Sequence, residues 1–224
     1  MKIDFKNKIT EELQGTNFFD NLPAEIHDFT FRKVFEEDLD KFIYFSYENI
    51  KTHRGLTAYF HEETQEYKVK VNIGFNEFCL TEFFSENLTD YCKKISDKLE
   101  NFLENFSKGQ SKLNPLMRSK RFLEWNYGKN LPENIAGFEL FISPKNPVEF
   151  TNGSCIVINY SDFETESDFT IFYNIYTRDF STEYTEKHVP HISYLFDSEN
   201  LKELEQKLSQ NLSAELSRIR KNLQ

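Results

Sequence analysis

One pattern occurs twice in this chain, and it constrains the fold more than any other feature of the sequence. The tripeptide Asn-Leu-Pro stands at residues 21–23 and again at 130–132, an offset of 109 residues. Further along, the pattern Phe-x-Ser-Glu-Asn-Leu stands at 83–88 and again at 196–201, an offset of 113. Self-similarity of this kind indicates repeated structural units. We therefore predict two tandem, diverged copies of one unit.

Each copy has the pattern of an α+β unit with the element order (α)-β-β-β-β-α. In the run Tyr67–Phe75, apolar residues alternate with polar ones, which predicts a strand with one buried face. Short loops between the strand-like runs favour antiparallel pairing. The predicted strands are Phe29–Phe35, Phe42–Tyr47, Leu56–His61 and Tyr67–Phe75 in the first copy, and Phe138–Ile142, Cys155–Tyr160, Phe169–Tyr176 and about Phe180–Tyr184 in the second.

A long amphipathic helix is predicted at the end of each copy. Apolar residues recur at intervals of three or four along residues 88–106 and along residues 201–219, which is the helical period. Asn87 and Asn200 precede these stripes, and each is followed three residues later by an acidic residue, which predicts N-terminal caps. We expect each helix to cover one face of an antiparallel sheet.

The predicted domains are residues 1–106 for the first unit, 107–120 for a linker and the start of the next helix, and 121–224 for the second unit. Residues 107–121 hold five basic residues and no acidic one. A short helix is predicted before each Asn-Leu-Pro, around Ile9 and from Pro115 to about Trp125. We further predict that the apolar faces left over on the two sheets meet across a pseudo-two-fold axis, as an internal dimer.

Composition and spacing exclude several classes of function. No two of the seven glycines lie closer than nine residues, which excludes the P-loop, the dinucleotide fingerprint and the nucleophile elbow. A net charge of −10 makes nucleic acid an unlikely partner, because affinity for phosphate backbones comes from lysine and arginine. No apolar run is long enough to predict a membrane span.

The cysteines and the start of the chain bear on its compartment. Cys79, Cys92 and Cys155 are an odd number and form no Cys-x-x-Cys motif. The first residues are charged and show no secretory signal. We therefore expect a cytoplasmic protein with reduced cysteines.

Four acidic residues alternate in one segment of the second copy. Carboxylates at alternate positions can bind calcium, but Ser167 stands where a calcium loop has its glycine. The open alternatives are a solvated hairpin tip, a contact for a basic partner and, third, a calcium site. The residues are Asp162, Glu164, Glu166 and Asp168.

His188 and His191 are the two histidines closest together, and with a carboxylate such as Glu186 they could bind a metal ion. Pro190 between them favours an extended turn, so a solvated or packed loop is the preferred interpretation. The segment His61-Glu62-Glu63 begins like a zinc-protease motif, but Gln65 stands where the second histidine is required. We predict no metal ligand, no cofactor and no catalytic residue.

The composition favours a non-enzymatic, acidic protein-binding module whose charge steers it toward a basic partner. One version is an immunity-type inhibitor of a basic toxin. The alternative is a small-ligand-binding protein or enzyme with an aromatic-lined pocket between the two repeats. The candidate walls of that pocket are Tyr44, Tyr59, Phe172 and Tyr173.

Overall fold

The structure is a computed structural model, which describes residues 9, 11–12, 15–108, 113, 115–150 and 153–223. The chain divides into two compact units, residues 1–108 and 109–224. The division falls two residues after the predicted end of the first unit. Each unit contains an antiparallel sheet and a long helix, so the predicted α+β class is confirmed.

Unit one is an antiparallel meander whose strands lie in the sheet in chain order, from β1 to β6. The helix α1 follows the last strand. The bounds are β1 Glu25–Ile26, β2 Phe29–Asp38, β3 Lys41–Asn49, β4 Arg54–His61, β5 Glu66–Ile73, β6 Asn76–Cys79 and α1 Leu88–Ser107.

The apolar residues whose spacing predicted these elements are buried in the structure. Every apolar residue of β5 lies in the interior, and α1 buries its predicted stripe at Tyr91, Ile95, Leu99 and Leu103. The side chain of Asn87 accepts a hydrogen bond from the backbone N–H of Asp90 at 2.9 Å, as the predicted cap requires. Of the helix predicted before the first Asn-Leu-Pro, Ile9 is helical and buried, and the remainder lies largely outside the described residues.

Unit two forms a seven-stranded antiparallel sheet in the order β13-β12-β11-β10-β8-β7, with β9 paired to β10. The helix α4 follows β13. The bounds are α2 Pro115–Ser119, α3 Asn126–Lys129, β7 Asn134–Ile135, β8 Phe138–Ile142, β9 Val148–Glu149, β10 Ser154–Asp162, β11 Ser167–Asn174, β12 Phe180–Glu186, β13 Val189–Ser198 and α4 Leu201–Leu223.

Unit two departs from the expectation in its first helix and, like unit one, in its number of strands. The helix predicted from Pro115 to about Trp125 is divided, because Arg121 adopts a left-handed backbone conformation with φ 60° after α2 ends. The prediction of four strands in each unit is wrong, because the described residues form six strands in unit one and seven in unit two. The additional strands are β1, β6, β7, β9 and β13, and β13 forms an edge of its sheet. Across the part of the chain that the structure describes, no helix is both long and apolar enough to span a membrane.

Corresponding residues of the two units make corresponding contacts. The Tyr47 hydroxyl donates a hydrogen bond to the carbonyl of Pro23 at 2.7 Å, and the Tyr160 hydroxyl donates to the carbonyl of Pro132 at 2.7 Å. Burial raises the pKa of both hydroxyls, that of Tyr47 to about 12, so both remain protonated donors at neutral pH. In each unit the bond therefore ties the Asn-Leu-Pro segment to a central strand.

These bonds generate a stability prediction. Tyr47→Phe and Tyr160→Phe should each lower the free energy of unfolding by about 1 kcal/mol, because each leaves a carbonyl without its donor. Tyr173→Phe is the matched control, since the buried Tyr173 hydroxyl has no hydrogen-bond partner among the described residues. Urea unfolding followed by circular dichroism measures all three, and a Tyr173→Phe loss equal to the others would contradict the prediction.

Candidate functional site

The acidic segment of unit two is built around a buried carboxylate. Asp162 ends β10, and only 8% of its side chain is exposed. Its carboxylate accepts hydrogen bonds from the backbone N–H groups of Glu164 and Thr165, and it forms an ion pair with Arg220 of α4 at 2.6 Å. Burial alone would raise the pKa of this carboxyl, but the Thr165 hydroxyl and Arg220 together hold it below its usual value.

The four acidic residues of the segment therefore do not form one surface. Asp168 is buried and accepts hydrogen bonds from the side chains of Asn159 and Thr170, both at 2.9 Å. Glu164 and Glu166 are exposed. A contact between this segment and a partner would use Glu164 and Glu166, because Asp162 and Asp168 are buried and bonded to residues of unit two.

The two neighbouring histidines lie on different parts of a hairpin. His188 is exposed in the turn between β12 and β13, where its Nε2 is 2.7 Å from a Glu166 carboxylate oxygen. His191 lies in β13 and stacks on Tyr184, with the ring centroids 4.8 Å apart. The turn that Pro190 suggested is two residues long, and Pro190 itself lies in the strand.

The strand β13 exposes a row of apolar side chains at the edge of the sheet. Its bulged segment, residues 194–197, is anchored by Phe196, which is fully buried and meets the Phe169 ring edge-on. The bulge turns its other apolar residues outward. The exposed apolar residues of the strand, called here the apolar edge, are Val189 (55% exposed), Ile192 (65%), Tyr194 (76%) and Leu195 (42%).

Acidic residues lie beside the apolar edge in sequence and on the neighbouring strand. Between residues 178 and 199 the chain has five acidic residues and two basic ones. Glu183 and Glu186 lie on β12 directly opposite Ile192 and Val189. The edge therefore combines an apolar centre with a negative border, which is the composition of many protein interfaces.

The aromatic residues proposed as pocket walls lie mostly in the interiors of their own units. Tyr44 stacks on Phe19 in the core of unit one, with ring centroids 4.9 Å apart. Tyr173 is buried in the core of unit two. Tyr59 is also buried, with its hydroxyl 3.3 Å from the Cys79 sulfur, and Phe172 is half-buried.

Unit one does contain an open cleft of about 520 Å³, between the Asn-Leu-Pro segment and α1. Apolar residues line much of it, and Glu25, His27 and Glu100 add charge or polarity. None of the four aromatic residues proposed as walls lines it.

Comparisons with protein-family models, with curated proteins and with solved structures find no significant match to this chain.

The Asp162 contacts generate a prediction of pH-dependent stability. Asp162→Ala should lower the free energy of unfolding at neutral pH by about 2 kcal/mol, because it removes a charge-assisted hydrogen bond and the turn acceptor. Asp162→Asn should lose less stability, because its amide oxygen can still accept a hydrogen bond from a backbone N–H of the turn. Asn49 does so in unit one, where it accepts from the Thr52 N–H at 3.1 Å.

The pH dependence follows from the direction of the pKa shift. A carboxyl whose pKa is lowered on folding contributes its stability above the unfolded-state pKa of about 3.9, and loses it as the pH falls through the folded-state value. The difference in the free energy of unfolding between the wild type and Asp162→Ala should therefore become smaller below about pH 3.9. Chemical unfolding at a series of pH values measures this difference. A difference that stays constant with pH would contradict the lowered pKa of Asp162.

Proposed function

We propose that this chain is a non-enzymatic, acidic protein-binding module, and that the apolar edge of unit two is its binding surface. The observation that carries the proposal is the exposure of four apolar side chains on one edge strand. Ile192 and Tyr194 are two residues apart and therefore share one face of the strand, and exposed apolar side chains grouped in this way mark a surface that a partner covers. An edge strand also presents backbone N–H and C=O groups to any chain that approaches it.

The two units supply an internal comparison that supports this choice of surface. We propose that they are diverged copies of one ancestor, since the strand order and the tyrosine contacts correspond. At the positions that match 189–196, unit one has the segment 76–83, where the buried Phe83 matches the buried Phe196 and the buried Leu80 matches the buried Ser193. Where unit two exposes Tyr194 and Leu195, however, unit one exposes Thr81 and Glu82. The fold therefore does not require apolar side chains at these positions.

The chemistry of the apolar edge favours an extended, basic segment as its ligand. A partner strand added to β13 would form main-chain hydrogen bonds along the sheet edge, and its side chains would meet the apolar residues. Glu183 and Glu186 on the neighbouring strand favour lysine or arginine in that segment. One form of this function, on the present proposal, is an immunity-type inhibitor that blocks a basic toxin in the cytoplasm.

The test uses a double variant of the apolar edge. Tagged wild-type protein recovers its partner from the native host, and the affinity of the purified pair is then measured by calorimetry. Ile192→Lys with Tyr194→Lys should weaken binding at least thirtyfold, which corresponds to about 2 kcal/mol, because it places positive charge and removes apolar contact at the centre of the interface.

The matched control is Ile50→Lys, which changes an isoleucine that is 81% exposed in unit one. This variant should bind as the wild type does. Higher salt should lower the association rate constant for a basic partner, because long-range attraction is screened. A recovered partner that is not basic would count against the acidic-module proposal, and a basic partner insensitive to the double variant would count against the apolar edge.

A further inference from the structure

Three side chains that can ligate a metal ion meet where two turns of unit one lie side by side. Asp40 is in the turn between β2 and β3, His61 ends β4, and Glu63 is in the turn that follows. One ligand atom from each lies within 4.8 Å of the others, and His61 Nε2 is 2.8 Å from Asp40 Oδ2. The backbone N–H of Glu62 donates to the Asp40 carbonyl at 2.7 Å, which holds the two turns together.

The His61 side chain has one nitrogen more than is required to close the turn by hydrogen bonding. His61 Nδ1 accepts a hydrogen bond from the backbone N–H of Thr64 at 3.3 Å. At the matching place in unit two, Asn174 Oδ1 accepts from the backbone N–H of Thr177, also at 3.3 Å. An asparagine therefore suffices to close this turn. The additional group in unit one is Nε2, and it faces a carboxylate.

The charge and exposure of the cluster suit a divalent cation. Asp40 and Glu63 carry two negative charges when ionised, which a divalent ion would neutralise beside a neutral imidazole. Asp40 and His61 are half-buried and Glu63 is exposed, so water has access to the remaining coordination positions. The ammonium group of Lys41, the residue that follows Asp40, lies over the Tyr59 ring at 5.7 Å from the ring centroid.

We propose that Asp40, His61 and Glu63 form a binding site for a divalent transition-metal ion, and that zinc is the ion whose ligand preferences they meet. Zinc binds imidazole nitrogen together with carboxylate oxygen, and three protein ligands leave a position for water. When Nε2 gives its lone pair to the metal, the proton of the neutral imidazole resides on Nδ1. Metal binding therefore replaces the bond that Nδ1 accepts from the Thr64 backbone N–H with one that the Nδ1–H donates to the Thr64 hydroxyl oxygen, 3.1 Å away, which is the kind of outer contact that orients metal-bound histidines.

The test is calorimetric titration of the full chain with zinc chloride in a non-chelating buffer at neutral pH. His61→Asn is the decisive variant, because it keeps a turn acceptor like that of Asn174 while it removes Nε2. Without zinc it should lose only the contact between Nε2 and the Asp40 carboxylate, and so unfold slightly below the wild-type temperature, and it should weaken zinc binding at least tenfold. Glu63→Gln, at an exposed position, should also weaken binding.

The matched control is His188→Ala, which removes an exposed histidine that also lies beside a carboxylate, that of Glu166. It should leave zinc binding unchanged. If His61→Asn binds zinc as tightly as the wild type, if the wild type shows no binding, or if His188→Ala weakens binding equally, the site is overturned. The proposal is independent of protein binding at the apolar edge, so either can fail alone.

Discussion

The burial of one apolar helix stripe on one sheet face is the interaction on which each unit depends. In unit one the stripe of α1 lies in the same core as β3, β4 and β5, and in unit two α4 does the same with β10 and β11. Area removed from water is worth about 25 cal/mol per Å², so these cores supply most of the favourable free energy. The turns and the outer strands are less constrained, and there the two units differ most.

The long helices and the central strands could be predicted from sequence, and the short or irregular strands β1, β6, β7, β9 and β13 could not. The stripes of α1 and α4, with their asparagine caps, follow from spacing, and the central strands β3, β4, β10 and β11 follow from runs rich in apolar residues. The strand β13 lacks alternation, because Val189, Pro190 and Ile192 are exposed together and a bulge follows. Proline is tolerated in it because the strand lies at an edge.

The candidate surfaces were harder to predict, because their character depends on distant partners. Asp162 resembles a solvated loop residue in sequence, but Arg220, 58 residues further along, completes its buried environment. The pairing of Asp40 with His61 likewise depends on two turns that meet only in the sheet. A signal for the apolar edge was available in the sequence alignment of the two units, where Thr81 and Glu82 stand opposite Tyr194 and Leu195.

The chain-order meander of unit one has a consequence for biosynthesis. Its strands pair with their neighbours in the chain, so the sheet can assemble as the polypeptide emerges from the ribosome. Phe19 precedes the strands and can stack on Tyr44 early, but the helix α1 is made after all six strands, so the part of the sheet that its stripe covers stays exposed until it emerges. During that interval the uncovered apolar surface is open to other chains or to a chaperone, and the docking of the helix closes it.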